Sequence, residues 1–266
     1  MKLITRFLQN PYVKIFVSPL ASILFGLILG ASHTESIRWL PMLLLFLIVV
    51  FGQLIDHFLY LRIDKQTPEV APNVLLYVLE GILLISTIIF MFNSHWIISV
   101  LLVFYIVFIH VQYMPFKMTG TIYHFLLSVF FNGFMMNVIA YNSQTFAVTQ
   151  TFLINTIPIV LMFIVLNLEV FNLKNIIINF KQITVFQRFP VVSLVVCALA
   201  LLSGFYFSLP SSSYYIVQIL FVLLSAVTML PLLVKTQHEK QTQNKMNYIH
   251  AVTLIFTLLY SLSQLY

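Results

Sequence analysis

Nine mainly apolar stretches follow one another along this chain, at about 15–32, 37–57, 73–93, 96–113, 121–141, 147–168, 189–208, 213–234 and 247–265. Each is near the ~20 residues a helix needs to cross the hydrocarbon core of a bilayer. No water there can satisfy a bare N–H or C=O, so such long apolar runs cross as helices that bond their own backbone. Polar or turn-forming breaks separate them, among them Ser32-His33-Thr34-Glu35-Ser36, Asn93-Ser94-His95, Asn142-Ser143-Gln144-Thr145 and Leu209-Pro210-Ser211-Ser212-Ser213. The expected fold is all-α: a polytopic integral membrane helical bundle with about nine transmembrane helices. It forms a single transmembrane domain over 1–266, with 1–14 an interfacial amino-terminal segment and 15–265 the bundle. Charged residues make up 8% of the chain, far below the ~25% of a soluble domain.

The few charges set the expected orientation. Lys2, Arg6 and Lys14 precede the first run, Arg62 and Lys65 follow the second, and Lys117 follows the fourth. Lys174, Lys181 and Arg188 follow the sixth, and Lys235, Lys240 and Lys245 the eighth. Twelve of the thirteen basic residues thus share one side, with Arg38 alone opposed. By the positive-inside rule the amino terminus is cytoplasmic. The loops 57–72, 169–188 and 235–246 are then expected at the cytoplasmic face. The opening Met1-Lys2-Leu3-Ile4-Thr5-Arg6-Phe7-Leu8-Gln9 intersperses charges with apolar residues. No small-residue cleavage site follows, so an interfacial amphipathic helix is expected rather than a signal peptide.

Several function classes drop out. The basic residues form no stripe with interleaved aromatics, so no nucleic-acid partner is expected despite a pI near 9.4; membrane lipids are the expected surroundings. The lone Cys197 excludes an internal disulfide and a cysteine-based metal cluster, and is read as a core residue. His57, His110 and His124 show no i, i+4 ligand pair and are read as packing or interfacial residues. Neither a P-loop nor a serine-hydrolase elbow is present.

Attention falls on Gly52-Gln53-Leu54-Ile55-Asp56-His57-Phe58-Leu59-Tyr60-Leu61-Arg62-Ile63-Asp64. On a helix Gln53, Asp56, Tyr60 and Asp64 share a face. A carboxylate so close to lipid needs a partner, a cation or water, which marks a functional-site candidate. A structural alternative is an ion pair of Asp56 with Arg62 or Lys117. Glu80, inside the third run, has three readings: a hydrogen bond between helices, a protonated carboxyl, or a proton relay in a transporter.

The segment resembles the first aspartate-rich motif of the UbiA superfamily of intramembrane prenyltransferases, N-D-x-x-D-x-x-x-D at the end of the second helix. In this chain the motif falls on Gly52, Gln53, Asp56 and Tyr60, so one aspartate stays in register and Asp64 lies one turn on. Tyr113-Met114-Pro115-Phe116-Lys117 is similar to the family's Y-x-x-x-K, and Phe130-Phe131-Asn132-Gly133 places a glycine where its fifth helix has one. Asn10-Pro11, Ser18-Pro19 and Gly26 resemble its first helix. The second aspartate motif, after the sixth helix, meets Asn167-Leu168-Glu169-Val170-Phe171-Asn172 here, with one acid; Lys181 and Thr184 stand near a glycine-lysine-threonine stretch.

The resemblance implies nine helices, a cytoplasmic cavity in a bacterial inner (cytoplasmic) membrane, and a site for a prenyl diphosphate beside a lipophilic, often aromatic, acceptor. Bridging Mg2+ would neutralise the diphosphate and stabilise the departing pyrophosphate. It further implies Asp56 and Asp64 as catalytic residues, Asp56, Asp64, Glu169 and Asn172 as metal ligands, and Lys117, Arg62, Tyr113 and Lys181 as diphosphate-binding residues. Magnesium takes octahedral oxygen coordination, usually one or two carboxylates with waters and phosphate oxygens. Two ions would use roughly three or four carboxylates by that rule, and Asp56 and Asp64 stand about 12 Å apart on a straight helix. One ion is accommodated more readily than two. Two functions are therefore expected: a prenyltransferase, or a UbiA-type bundle turned to binding or moving a lipid or small molecule.

Overall fold

The computed structural model describes residues 11–64, 72–178, 190–209, 215–233 and 239–266. Among them every regular element is a helix. We number these α1 (Pro11–Ser32), α2 (Trp39–Leu59), α3 (Asn73–Phe92), α4 (Trp96–Val111), α5 (Ile122–Val129), α6 (Met136–Thr145), α7 (Gln150–Asn155), α8 (Ile157–Ile178), α9 (Pro190–Phe207), α10 (Ile216–Met229) and α11 (Glu239–Leu265). A π-helical turn, Tyr60–Asp64, extends α2, and a second, Phe130–Met135, joins α5 to α6. Six helical stretches are long and apolar enough to cross a membrane: Ile15–Ser32, Trp39–Ile63, Asn73–Phe92, Ile122–Thr145, Gln150–Leu173 and Asn244–Leu265. Trp96–Val111, Val191–Phe207 and Ile216–Leu232 are shorter apolar helices. The chain is a multi-pass membrane protein.

Helix α1 divides the bundle. Ile23 and Leu27 sit in one buried core with α2, α3, α4 and the π-helical turn before α6. Ala21, Phe25 and Leu29, on the opposite face, sit in a second core with α8, α9, α10 and α11. Its closest approach is to α6: a Cβ on Gly26 would stand 2.1 Å from the Asn137 carbonyl oxygen, and one on Gly30 would stand 2.9 Å from Gln144 Cβ. Gly26 and Gly30 form the G-x-x-x-G spacing that lets two membrane helices touch backbone to backbone. The Gly26 N–H donates to Asn137 Oδ1 at 3.1 Å across that contact. The Asn137 amide in turn donates to the Gly133 carbonyl at 3.0 Å, and Asn132 donates to that of Ser128 at 3.1 Å. Side-chain amides thus take up carbonyls in and beside the widened π turn.

Helix ends depart from the expected span ends. α8 runs on to Ile178 and α11 begins at Glu239, so much of the expected loops 169–188 and 235–246 is helical. Apolarity stops at the hydrocarbon boundary, but the helical backbone ladder persists beyond it, and Glu169 and Lys245 therefore lie on helices rather than loops. The first helix opens at Pro11, a residue suited to the first helical position because its missing N–H has no intrahelical partner. Residues 11–14 of the expected interfacial segment thus belong to α1; the preceding ten lie outside the described residues.

Candidate functional site

The carboxyl-terminal end of α2 lies against the end of α4. Gly52 makes this possible: a side chain there would meet Ile109 Cδ1 at 2.9 Å and the Tyr105 hydroxyl at 3.3 Å. One turn on, Asp56 Oδ1 accepts a hydrogen bond from the Tyr113 hydroxyl at 2.8 Å and another from the Gln112 amide. Tyr113 and Gln112 are buried, and the Gln112 amide also donates to the Ile109 carbonyl at 3.2 Å. Two neutral donors therefore meet one oxygen of Asp56, Oδ1. The cations offered as its alternative partners are placed otherwise. Arg62 donates to Asn73 Oδ1, tying the π turn to the start of α3, while Lys117 makes no ion pair among the described residues.

Lys117 stands in the compact connection between α4 and α5. The Met118 N–H donates to the Gln112 carbonyl at 2.8 Å, and the Thr121 N–H to that of Met118 at 3.0 Å. Lys117 is exposed and left-handed, with φ of 43°, a conformation uncommon outside glycine. Thr121 caps α5 by accepting the His124 N–H at 3.3 Å. The structure thus joins Asp56 to Tyr113 and holds Lys117 four residues further along the same connection.

The other acidic candidate lies in the second half. Glu169, on α8, is buried, and its Oε2 is 3.5 Å from Lys245 Nζ on α11. By sequence Lys245 belongs with the loop cations of the positive side; only the packing of α11 on α8 marks it as the counter-ion. Asn172 is half-buried three residues along α8. Asp64 has its backbone in the π turn, but its side chain lies outside the described residues, as does Lys181 altogether.

These donors bear on the implied magnesium. Among the described residues no three of His, Cys, Asp or Glu gather where they could hold a metal ion. Asp56 is held through Oδ1 by a phenol and an amide, and Glu169 is paired with an ammonium group. The described acids are thus paired within the protein rather than gathered with one another.

At the opposite end of the bundle the lone opposed cation has a structural task. Arg38 donates through Nη1 to the Ser143 carbonyl at 2.8 Å and through Nη2 to the Asn93 carbonyl at 3.0 Å. Its guanidinium lies 3.9 Å from the centre of the Phe146 ring. Gln144 braces its backbone, accepting from the Arg38 N–H at 3.0 Å and donating to the Arg38 carbonyl at 3.2 Å. A cation there meets the last carbonyls of α3 and α6, where the helix dipoles are negative. Position in the sequence showed Arg38 to be exceptional, but not that it locks two helix ends.

No family model matches the chain, and no curated protein or solved structure compared with it shows a significant likeness.

Proposed function

We propose that this chain is a UbiA-type bundle turned to binding or moving a lipophilic anion, an isoprenoid or similar lipid, without two-metal chemistry. The internal pairing of its acids carries this reading: Asp56 with Tyr113 and Gln112, Glu169 with Lys245. An acid already satisfied by protein donors has little call for a divalent ion, whereas Lys117 and Arg62 offer positive charge to an anionic headgroup. We further infer nine crossings, the three shorter apolar helices included, in a bacterial cytoplasmic membrane. The amino terminus and the Asp56 end of α2 then face the cytoplasm, following the bias of the basic residues.

A second reading, the prenyltransferase, draws on the joining of Asp56 to Tyr113 with Lys117 four residues beyond. It requires magnesium to bind Asp56 beside the Tyr113 and Gln112 bonds on Oδ1 and to recruit Asp64, with a prenyl diphosphate and a lipophilic acceptor as substrates. Purified protein incubated with labelled prenyl diphosphates, with and without magnesium and beside Asp56→Ala, separates the two. Binding that is indifferent to magnesium, without transfer, is expected. Magnesium-dependent prenyl transfer that is lost in Asp56→Ala refutes the binding reading.

A further inference from the structure

The end of α4, the start of α5 and the connection between them wall an open groove. Val111, Phe116, Met118, Thr121, Tyr123 and Leu127 line it, and it measures about 510 Å³. That volume falls within the roughly 300–1,000 Å³ of small-molecule sites. Its lining residues are apolar apart from Thr121 and Tyr123, and Phe116 and Tyr123 stand exposed. Lys117 separates Phe116 from Met118 in the chain and is itself exposed.

Charge sets this groove apart. From residue 81 to residue 168 no Asp, Glu or Arg occurs, and Lys117 is the one lysine. The acids of the helices packed beside it face other groups: Asp56 accepts from Tyr113 and Gln112, and Glu80 Oε1 stands 3.6 Å from His110 Nε2. α5 begins at Ile122, so its first N–H groups and the positive end of its dipole open beside the same connection. An ammonium group and a helix N-terminus next to an apolar wall suit an amphiphile with an anionic head. The direction of α5 orders head and tail. It opens the apolar stretch Ile122–Thr145, and Leu127 lies roughly 7.5 Å further along that helix than Ile122. The Lys117 end of the groove therefore meets the headgroups, and the Leu127 end points into the hydrocarbon.

We propose that this groove holds one anionic phospholipid of the bilayer, its phosphate at Lys117 and the start of α5 and an acyl chain along Val111 and Leu127. The inference rests on the reading that the chain binds a lipophilic anion, and gives that reading a lipid class and a place. A soluble anion would leave the apolar wall unused, and a zwitterionic lipid would leave the lysine charge uncompensated.

Native mass spectrometry of the full chain in detergent, titrated with phosphatidylglycerol or with phosphatidylcholine, tests the site. One phosphatidylglycerol is expected to bind about fivefold tighter than phosphatidylcholine, the effect of a single lysine at an anionic headgroup. Lys117→Asn should abolish that preference, since asparagine tolerates the left-handed backbone at this position but carries no charge. Lys117→Arg should retain it. Phe116→Ser, at an exposed position, removes part of the apolar wall and should weaken both lipids. Equal binding of the two lipids by the wild type, an unchanged preference in Lys117→Asn, or no effect of Phe116→Ser overturns the proposal. So does glycerol 1-phosphate that displaces the lipid as well as the whole lipid does, which marks a site for free phosphate. Labelled prenyl diphosphate on the same samples keeps the two readings apart. If it binds without transfer while the wild type shows no preference for phosphatidylglycerol, the groove is overturned and the binding reading stands. If phosphatidylglycerol binds through Lys117 but magnesium drives prenyl transfer, the groove stands and the binding reading falls.

Discussion

Replacing Arg38 by alanine should release the two helix ends that its guanidinium joins. Two hydrogen bonds from the guanidinium to the Ser143 and Asn93 carbonyls disappear, and so does the contact with the Phe146 ring. At the low end of their ranges, two charge-assisted bonds of about 1.5 kcal/mol each and a cation–π contact of about 0.5 kcal/mol total roughly 3.5 kcal/mol. Arg38 is half-exposed, so screening reduces the expected loss to about 2 kcal/mol. The Gln144 bonds to the Arg38 backbone survive the substitution and are not counted. For a chain of this size the loss should lower the unfolding midpoint by about 4–8 °C. The assay is reversible thermal unfolding in detergent micelles followed by circular dichroism. Arg38→Lys keeps the charge but lacks the planar fork that reaches two carbonyls, so it should lose about half as much. A midpoint for Arg38→Ala within about 1 °C of wild type would show that the clamp carries no energy. Equal losses for Ala and Lys would show that the fork geometry carries all of it.

Three further measurements bear on the packing and on the candidate site. Gly26→Ala puts a Cβ into the Asn137 carbonyl and breaks the Gly26–Asn137 bond, so a loss of about 3 kcal/mol is expected. Gly81→Ala meets nothing and should gain about 0.5–1 kcal/mol in the same unfolding assay; equal effects would deny the close contact of α1 with α6. Lys245→Met alone should cost about 3–5 kcal/mol by taking the counter-ion from the buried Glu169, and adding Glu169→Leu to it should recover most of that loss. Additive losses in that cycle would mean that the two charges do not interact. Asp56→Ala removes the carboxylate but leaves the Tyr113 hydroxyl the Asp56 carbonyl at 3.0 Å and the Gln112 amide the Ile109 carbonyl at 3.2 Å, so it should lose about 1 kcal/mol; no loss would show that these backbone acceptors serve both donors fully.

The crossing helices were legible because the bilayer imposes their length, and an apolar run of that length has few other outcomes. Their ends were not, since nothing in hydropathy tells a helix to stop where the lipid does. Glu169 and Lys245 show the consequence. Both read from hydropathy as loop residues, on either side of the stretch containing the seventh and eighth runs, and their pairing depends on α8 and α11 extending past the apolar boundary. The contact of Gly26 and Gly30 with α6 was missed although its spacing stands in the sequence. A glycine pair reads as a contact only once a partner backbone is known to approach it. Nor does any periodicity announce the π turn at Phe130–Met135, where the Asn137 amide takes up the Gly133 carbonyl.

Asp56 marks the point at which sequence reasoning about a site gives out. Its place at the end of an apolar run correctly raised the question of what offsets a carboxylate there. Cations and magnesium are the partners that stand out in a sequence so poor in charge. The partners in the structure, Gln112 and Tyr113, are neutral, lie more than fifty residues away, and sit at the end of a helix otherwise occupied with packing. Neutral donors leave the negative charge in place and merely solvate it. A carboxylate held this way still attracts a cation, though less strongly than a bare one, and resists the approach of an anion. An anionic headgroup at this mouth would therefore sit toward Lys117 and Arg62 rather than on Asp56. The arrangement separates the two readings at a single residue. Asp56→Asn should tighten the binding of a lipid anion by removing like charge, but should abolish any transfer that depends on magnesium. Measuring both on the same variant assigns Asp56 either to metal chemistry or to holding α2 against α4.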